Sequence, residues 1–291
     1  TTLVAVLLTA FTWPTSQLEP RSLPVVVAGP DDAADRFGDQ LGQRAGDDAF
    51  DVSPVADRAA AVDALRDREA YAGFVPSPDG QVEILVASAA SPVVAQLLGE
   101  MAGDLDAEVT DIVAAPADDP RGATFGAGAL PLVLGGLLTG AVASLALSTA
   151  RQRIATALGT SASSGLVLAG VLQGWLDVLE GSYWADAGVI ALGIAAISLS
   201  VVGLGTILGH TGIGLAALTM LLVGNPLSGI TSAPELLPLG WLGQLLPPGA
   251  TGTALRSTAF FDGAGSGLPL LVLTCWTLAG LALAVAPGRR S

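Results

Sequence analysis

Two kinds of hydrophobic pattern share this chain. Residues 1–13 and most of the sequence beyond Pro120-Arg-Gly122 carry long apolar runs with few charges. The stretch between them alternates short β-branched runs with polar segments of helical period. The first pattern predicts helices that cross lipid, the second a domain folded in water. Within the polar stretch, Leu23–Ala28, Phe50–Pro54, Tyr71–Val75, Val82–Ala87 and Glu108–Ala114 read as strands. Asp31–Ala45, Asp57–Glu69 and Ser91–Leu105 read as helices, the first with Asp31 or Asp32 as N-cap and the last with Pro92 in its first turn. Ser77-Pro-Asp-Gly80 is a turn sequence that joins the third and fourth strands as a hairpin. The order β-α-β-α-β-β-α-β predicts a small α/β or α+β sandwich, long enough to bury its own core.

The apolar region predicts spans at Ala129–Thr149, Ala157–Leu179, Gly188–Leu208, Gly214–Gly229 and Ser266–Ala286. The fourth is short and runs into a Pro- and Leu-rich stretch, Ile230–Pro248, which reads as re-entrant or interfacial helices within an outer segment near 230–262. Residues 1–13 would rise roughly 20 Å as a helix, short of a hydrocarbon core of about 30 Å. They read as a truncated first span stopped at Trp13-Pro14, the other reading being a signal-peptide remnant. The expected fold is a membrane all-α bundle of about six transmembrane helices with an α/β domain inserted between the first and second spans. Its parts are residues 1–13, 14–122 and 123–291.

Charge sharpens this division. Residues 14–122 hold 21 Asp and Glu against 7 Arg, while the rest of the chain holds five of each sign. All of the net charge of −14 therefore belongs to the inserted domain. So acidic a surface repels nucleic acid and anionic lipid headgroups, and nucleic acid is excluded as a partner. Arg151 and Arg153 lie between the second and third spans, and Arg289 and Arg290 follow the last, which places both sites in the cytoplasm. Six alternating spans starting inside satisfy this and put Asp177, Glu180, Asp186, Glu235 and Asp262 on the outer side with the acidic domain. The expected location is the plasma membrane, multi-pass, with that domain outside the cytoplasm. Arg256 alone runs against the trend.

Little in the sequence points to catalysis. One Cys, Cys275, and one His, His210, exclude a disulfide framework and a histidine metal cluster, and no acid lies in mid-span. No catalytic residue, metal site or cofactor is assigned. The aspartate pairs 31/32, 47/48 and 118/119 lack EF-hand spacing and read as solvated loop charge in preference to a weak Ca²⁺ site. Val27-Ala-Gly-Pro-Asp-Asp32 has strand-turn-helix form, but its aspartates would repel a phosphate. Gly136–Gly140, Gly170–Gly174 and Gly205–Gly209 have the small-xxx-small spacing that allows close helix contact. Thr149-Ala-Arg-Gln-Arg-Ile-Ala-Thr156 is either an ordinary topogenic loop or a coupling element, carried by Arg151, Gln152 and Arg153, that docks on a cytoplasmic partner. Asn225-Pro226 either breaks its helix at a pathway or simply ends the span. Glu235, Arg256 and Asp262 either pair or meet substrate at an outer gate, or are solvated at the interface, the reading preferred here.

One span, an external α/β domain, then five spans with a Pro-rich outer segment before the last resembles the membrane subunit of type-2 ABC exporters. The likeness is to their phage-infection-protein-like (YhgE/Pip) branch. It is carried by Leu23-Pro-Val-Val-Val-Ala-Gly-Pro-Asp-Asp32, Ala70-Tyr-Ala-Gly-Phe-Val-Pro76, Asn225-Pro-Leu-Ser-Gly229, Pro234-Glu-Leu-Leu-Pro238, Leu246-Pro-Pro248 and Arg256. The resemblance implies a permease subunit that exports an amphipathic or hydrophobic substrate. It also implies a second permease protomer, identical or not, and ATP bound on a separate nucleotide-binding ATPase subunit. No G-x-x-x-x-G-K-[ST] sequence occurs in this chain. The alternative is a non-transporting membrane-anchored surface protein whose ectodomain binds a partner or scaffolds the envelope.

Overall fold

A computed structural model describes residues 2–77, 81–105 and 107–287. The hairpin tip at 78–80 and the arginines at 289 and 290 lie outside the described residues. The chain opens with helix α1 (Thr2–Thr15), which leads into an α/β domain. That domain runs β1 (Leu23–Ala28), α2 (Asp31–Ala45), β2 (Phe50–Val55), α3 (Arg58–Arg66), β3 (Ala72–Pro76), β4 (Val82–Val86), α4 (Pro92–Leu105) and β5 (Glu108–Asp111). Its five strands form one mixed sheet in the order β2-β1-β3-β4-β5. β1 pairs in parallel with both β2 and β3, β3 and β4 form the antiparallel hairpin, and β5 returns parallel to β4.

The alternation of side chains explains the layers. Val25 and Val27 of β1, Phe74 of β3, and Ile84 and Val86 of β4 face one core with Leu41 of α2 and Leu98 of α4. Val26 and Leu85 face the other with Ala61 and Leu65 of α3. Edge strands β2 and β5 carry Asp51, Pro54, Glu108 and Asp111, and so resist pairing with another chain. The cap of α2 differs from expectation. Pro30 occupies the N-cap without a side-chain bond, and Asp31 and Asp32 sit in the first turn, where they favour the positive end of the helix. Asp57 does cap α3, accepting from the Ala60 N–H at 3.0 Å.

A helical region follows: α5 (Ala123–Ala127), α6 (Ala129–Ala146), α7 (Ala150–Gly174), α8 (Tyr183–Leu208), α9 (His210–Leu218), α10 (Gly240–Gln244), α11 (Pro247–Phe260) and α12 (Gly267–Val285). Among the described residues, four helices are long and apolar enough to cross a membrane: Ala123–Ala146, Ala150–Gly174, Tyr183–Leu208 and Gly267–Val285. This is a membrane protein with several candidate spans. Helix α8 is central, and α6, α7, α11 and α12 pack around it. Leu138 and Val142 of α6, Val167 of α7, and Leu271 and Leu278 of α12 point outward as apolar faces.

The region between α8 and α12 departs from a simple span. α9 gives way to a π turn at Thr219–Gly224, and the chain then climbs to the α/β domain, where Ala233 and Leu236 join the core beneath β1. It descends again through α10 before α11 turns back. Gly193, eleven residues into α8, abuts Thr251 of α11, whereas Thr258 bonds Asp186 near the start of α8. Helix α11 therefore runs antiparallel to the first half of α8 and begins at mid-bundle depth. The Trp276 indole of α12 donates to the Leu245 carbonyl at 2.9 Å, which marks the same depth. The expected re-entrant segment thus contains a buried half-helix that the reading of Ile230–Pro248 did not foresee.

Candidate functional site

The α/β domain sits on this re-entrant segment, and a cavity of about 240 Å³ lies between them. Its walls come from the turn after α3 (Arg68, Glu69), the start of β3 (Ala70, Tyr71), the 234–235 turn, Gln244, Thr253 and Arg256. Gly265, Leu268 and Pro269 close it beside the start of α12.

Arg68 is placed by an unusual helix ending. The Glu69 N–H donates to the Ala64 carbonyl at 2.9 Å and the Arg68 N–H to the Leu65 carbonyl at 3.2 Å, the paired bonds of a Schellman ending. That ending needs a left-handed residue, normally Gly, but here Arg68 takes φ +60°. A side chain there costs about 1–2 kcal/mol, and what it supplies is a guanidinium aimed at the helical region. Arg68 donates to the Thr253 carbonyl at 3.0 Å and to Ser257 Oγ at 2.6 Å, and lies 5.3 Å from the Phe261 ring centroid. Gly265, itself at φ +70°, lets the Arg68 Cβ approach closely.

Arg256 faces the same cavity from α11 and is only 5% exposed. It donates to the Ile230 carbonyl at 2.9 Å and stacks over Phe125, 4.8 Å from the ring centroid. Tyr71 donates its hydroxyl to Glu235 at 2.8 Å. Burial first, then the Glu235 carboxylate, pushes that hydroxyl far above the ordinary tyrosine range, so it remains a donor. Burial pulls the Arg68 guanidinium below its usual value, an effect opposed by Tyr71 and Glu235. Gln244 ties the floor together, donating to the Ser228 carbonyl at 2.8 Å and accepting from Thr253 Oγ1 at 2.7 Å. Among the described residues, neither Arg68 nor Arg256 has a carboxylate within ion-pair distance.

The structure thus brings together Glu235 and Arg256, two of the expected outer-gate residues; Arg256 is buried and not solvated as preferred, while Glu235 is half-buried. Arg256 escapes the charge trend because it is buried against a carbonyl and a ring. Asp262 stays apart, exposed in the turn after α11 with φ +50°. Asn225 and Pro226 follow the π turn below the cavity and do not line it. The Asn225 Oδ1 is buried without a partner among the described residues. Arg151, Gln152 and Arg153 occupy the first turn of α7 and not a loop. Thr149 caps that turn, accepting from the Gln152 N–H at 3.2 Å, and Arg153 donates to the Leu147 carbonyl at 2.9 Å. They lie at the end of the bundle remote from the α/β domain, because α5 and α6 run on from Phe125 beside Arg256 down to Ala146.

Other motifs sort similarly. Only the Gly136–Gly140 pair seats both members on a neighbouring helix: an added Cβ would come within 2.8 Å of Ile197 at Gly136 and within 2.6 Å of the Ser198 carbonyl at Gly140. Gly174 and Gly209 face open space. Asp119 is buried and accepts from the N–H groups of Thr124 and Phe125 at 3.1 and 2.8 Å, a cap for α5, while Asp32 pairs with Arg36. Sequence reasoning missed Arg68 and Tyr71, which it placed inside a helix and a strand. The one available signal was a helix ending at Asp67-Arg-Glu69 with no glycine to turn it. No family model, curated protein or solved structure matches the chain.

Proposed function

We propose that this chain is the permease subunit of an ABC-type exporter, moving an amphipathic or hydrophobic substrate out of the cytoplasm with energy from a separate ATPase subunit. The observation that carries this reading is α11, a half-helix that begins at mid-bundle depth and rises beneath a soluble domain. Discontinuous helices of this kind line pathways in transporters, because irregular backbone within a membrane is tolerated only inside protein or beside a cavity. Charge adds support. Asp177, Glu180, Asp186, Glu235 and Asp262 belong to the end that carries the α/β domain, and Arg151 and Arg153 to the other, the asymmetry expected with the α/β domain outside the cytoplasm. On this reading α1 and the interrupted helix of α9 and the π turn complete six passages, and a second protomer completes the transporter. The first turn of α7 meets the ATPase through Arg151, Gln152 and Arg153.

In proteoliposomes holding the chain with its copurified ATPase, Arg151→Ala combined with Arg153→Ala should leave ATP turnover in place and abolish its coupling to transport. Normal transport by that variant would overturn the coupling assignment, and absence of any copurifying ATPase would overturn the exporter reading itself. The rival, a surface protein merely anchored by its spans, expects function to survive when the α/β domain is tethered by one unrelated span. The bonds from Arg68 and Tyr71 into the helical region weigh against a simple tether.

A further inference from the structure

We infer that the cavity between the two regions binds the anionic headgroup of an amphiphile, its phosphate or carboxylate held by Arg68 and Arg256. Two guanidinium groups line one small space without an ion-pair partner among the described residues, and of the two acids in its walls Glu235 accepts from Tyr71 while Glu69 is exposed to solvent. Among the described residues Arg256, which lines the cavity, makes one side-chain hydrogen bond with five N–H donors available. Paired guanidinium groups match the oxygens of a phosphate or carboxylate far better than a single point charge does. The backbone cost at Arg68 points the same way, since a glycine there would fold more cheaply.

Size and position argue for a headgroup with its chain outside. At about 240 Å³ the cavity is smaller than the roughly 300–1,000 Å³ of pockets that enclose a whole small molecule. Its rim includes Leu268, which is 66% exposed and opens the outward apolar face of α12. Trp13, Trp175, Trp184 and Trp241 stand exposed at the same end of the bundle, where tryptophan marks the headgroup layer. An acyl or similar chain can therefore lie along α12 while its polar end enters between the arginines. This inference needs the membrane placement but not transport.

The test uses the full chain in nanodiscs of phosphatidylcholine, with and without phosphatidylglycerol, and separately with inorganic phosphate. Retained lipid is read by native mass spectrometry and the unfolding midpoint by thermal scan. Phosphatidylglycerol should be retained in preference to phosphatidylcholine and should raise the midpoint. Arg68→Gln and Arg256→Gln should each weaken that retention by about tenfold or more. Arg256 also braces Ile230 and Phe125, so Arg68→Gln, at the half-buried wall, decides the matter if the other variant fails to fold. Displacement of the lipid by inorganic phosphate at comparable concentration would make a free anion the ligand and keep the site. Equal retention of both lipids with no response to phosphate, or unchanged retention by Arg68→Gln, would overturn the inference. Loss of transport with lipid binding intact would count against the exporter reading alone.

Discussion

Helices α8 and α12 are both long, apolar and uncharged through their middles, yet 78% of the most apolar stretch of α8 is buried against 22% for α12. Hydropathy does not separate them; side-chain size does. α8 carries Gly193, Ala195, Ala196, Ser198, Ser200 and Gly203 where neighbours press in from several sides, whereas α12 turns Leu268, Leu271 and Leu278 outward. Lipid tails are as apolar as leucine, so no hydrophobic gain selects which helix goes inside, and close backbone approach does. The seam between the two helices makes this concrete. A Cβ on Gly203 would sit 2.5 Å from the Gly280 carbonyl, and one on Gly280 equally close to Leu199 backbone.

The largest effect is expected at that seam. Gly203→Leu should destabilise the chain by about 3 kcal/mol or more, because the obstruction is backbone and cannot swing away. Leu278→Ala, within the apolar sequence of α12 but facing outward, should change stability by no more than about 0.5 kcal/mol. Thermal unfolding in one detergent compares the two directly, and similar losses would remove size as the basis of the difference.

A second contrast sets the docked face of the α/β domain against its free face. On the docked face, Tyr71→Phe should cost about 1 kcal/mol through the lost bond to Glu235 and loosen the domain on its seat. Because the folded-state hydroxyl is raised above its ordinary value of 10.0, the wild-type protein gains from holding that proton and loses the gain as pH climbs beyond about 10. The Phe variant should show a flatter alkaline limb in a stability profile. A parallel limb for both would mean that another group controls it.

On the free face, Arg58 bonds Glu83 through two contacts of 2.8 and 2.7 Å, with Thr110 as a further donor at 2.8 Å. The Arg58 hydrogen bond holds the Glu83 carboxyl below its usual 4.5. The contribution is therefore present above that pH and fades as pH falls through the lowered value. Arg58→Gln should flatten the acid limb only slightly, since a solvent-facing pair is screened. An acid limb identical to wild type would assign the stabilisation to Thr110.

The division into an α/β domain and an apolar helical region, the strand and helix order, and the bounds of β1 and α2 could all be read along the chain. Each depends on periodicity, turn residues and β-branching within a dozen positions, and such signals are local. The cavity was not legible in this way. Tyr71 and Glu235 are 164 positions apart, and Arg68 and Ser257 are 189 apart, so no local pattern links them. Burial of Arg256, the half-helix α11 and the central place of α8 likewise come from packing. An arginine reads as solvated until a carbonyl and an aromatic ring are folded around it, and a glycine reads as neutral until a neighbouring backbone fills the space its side chain would take.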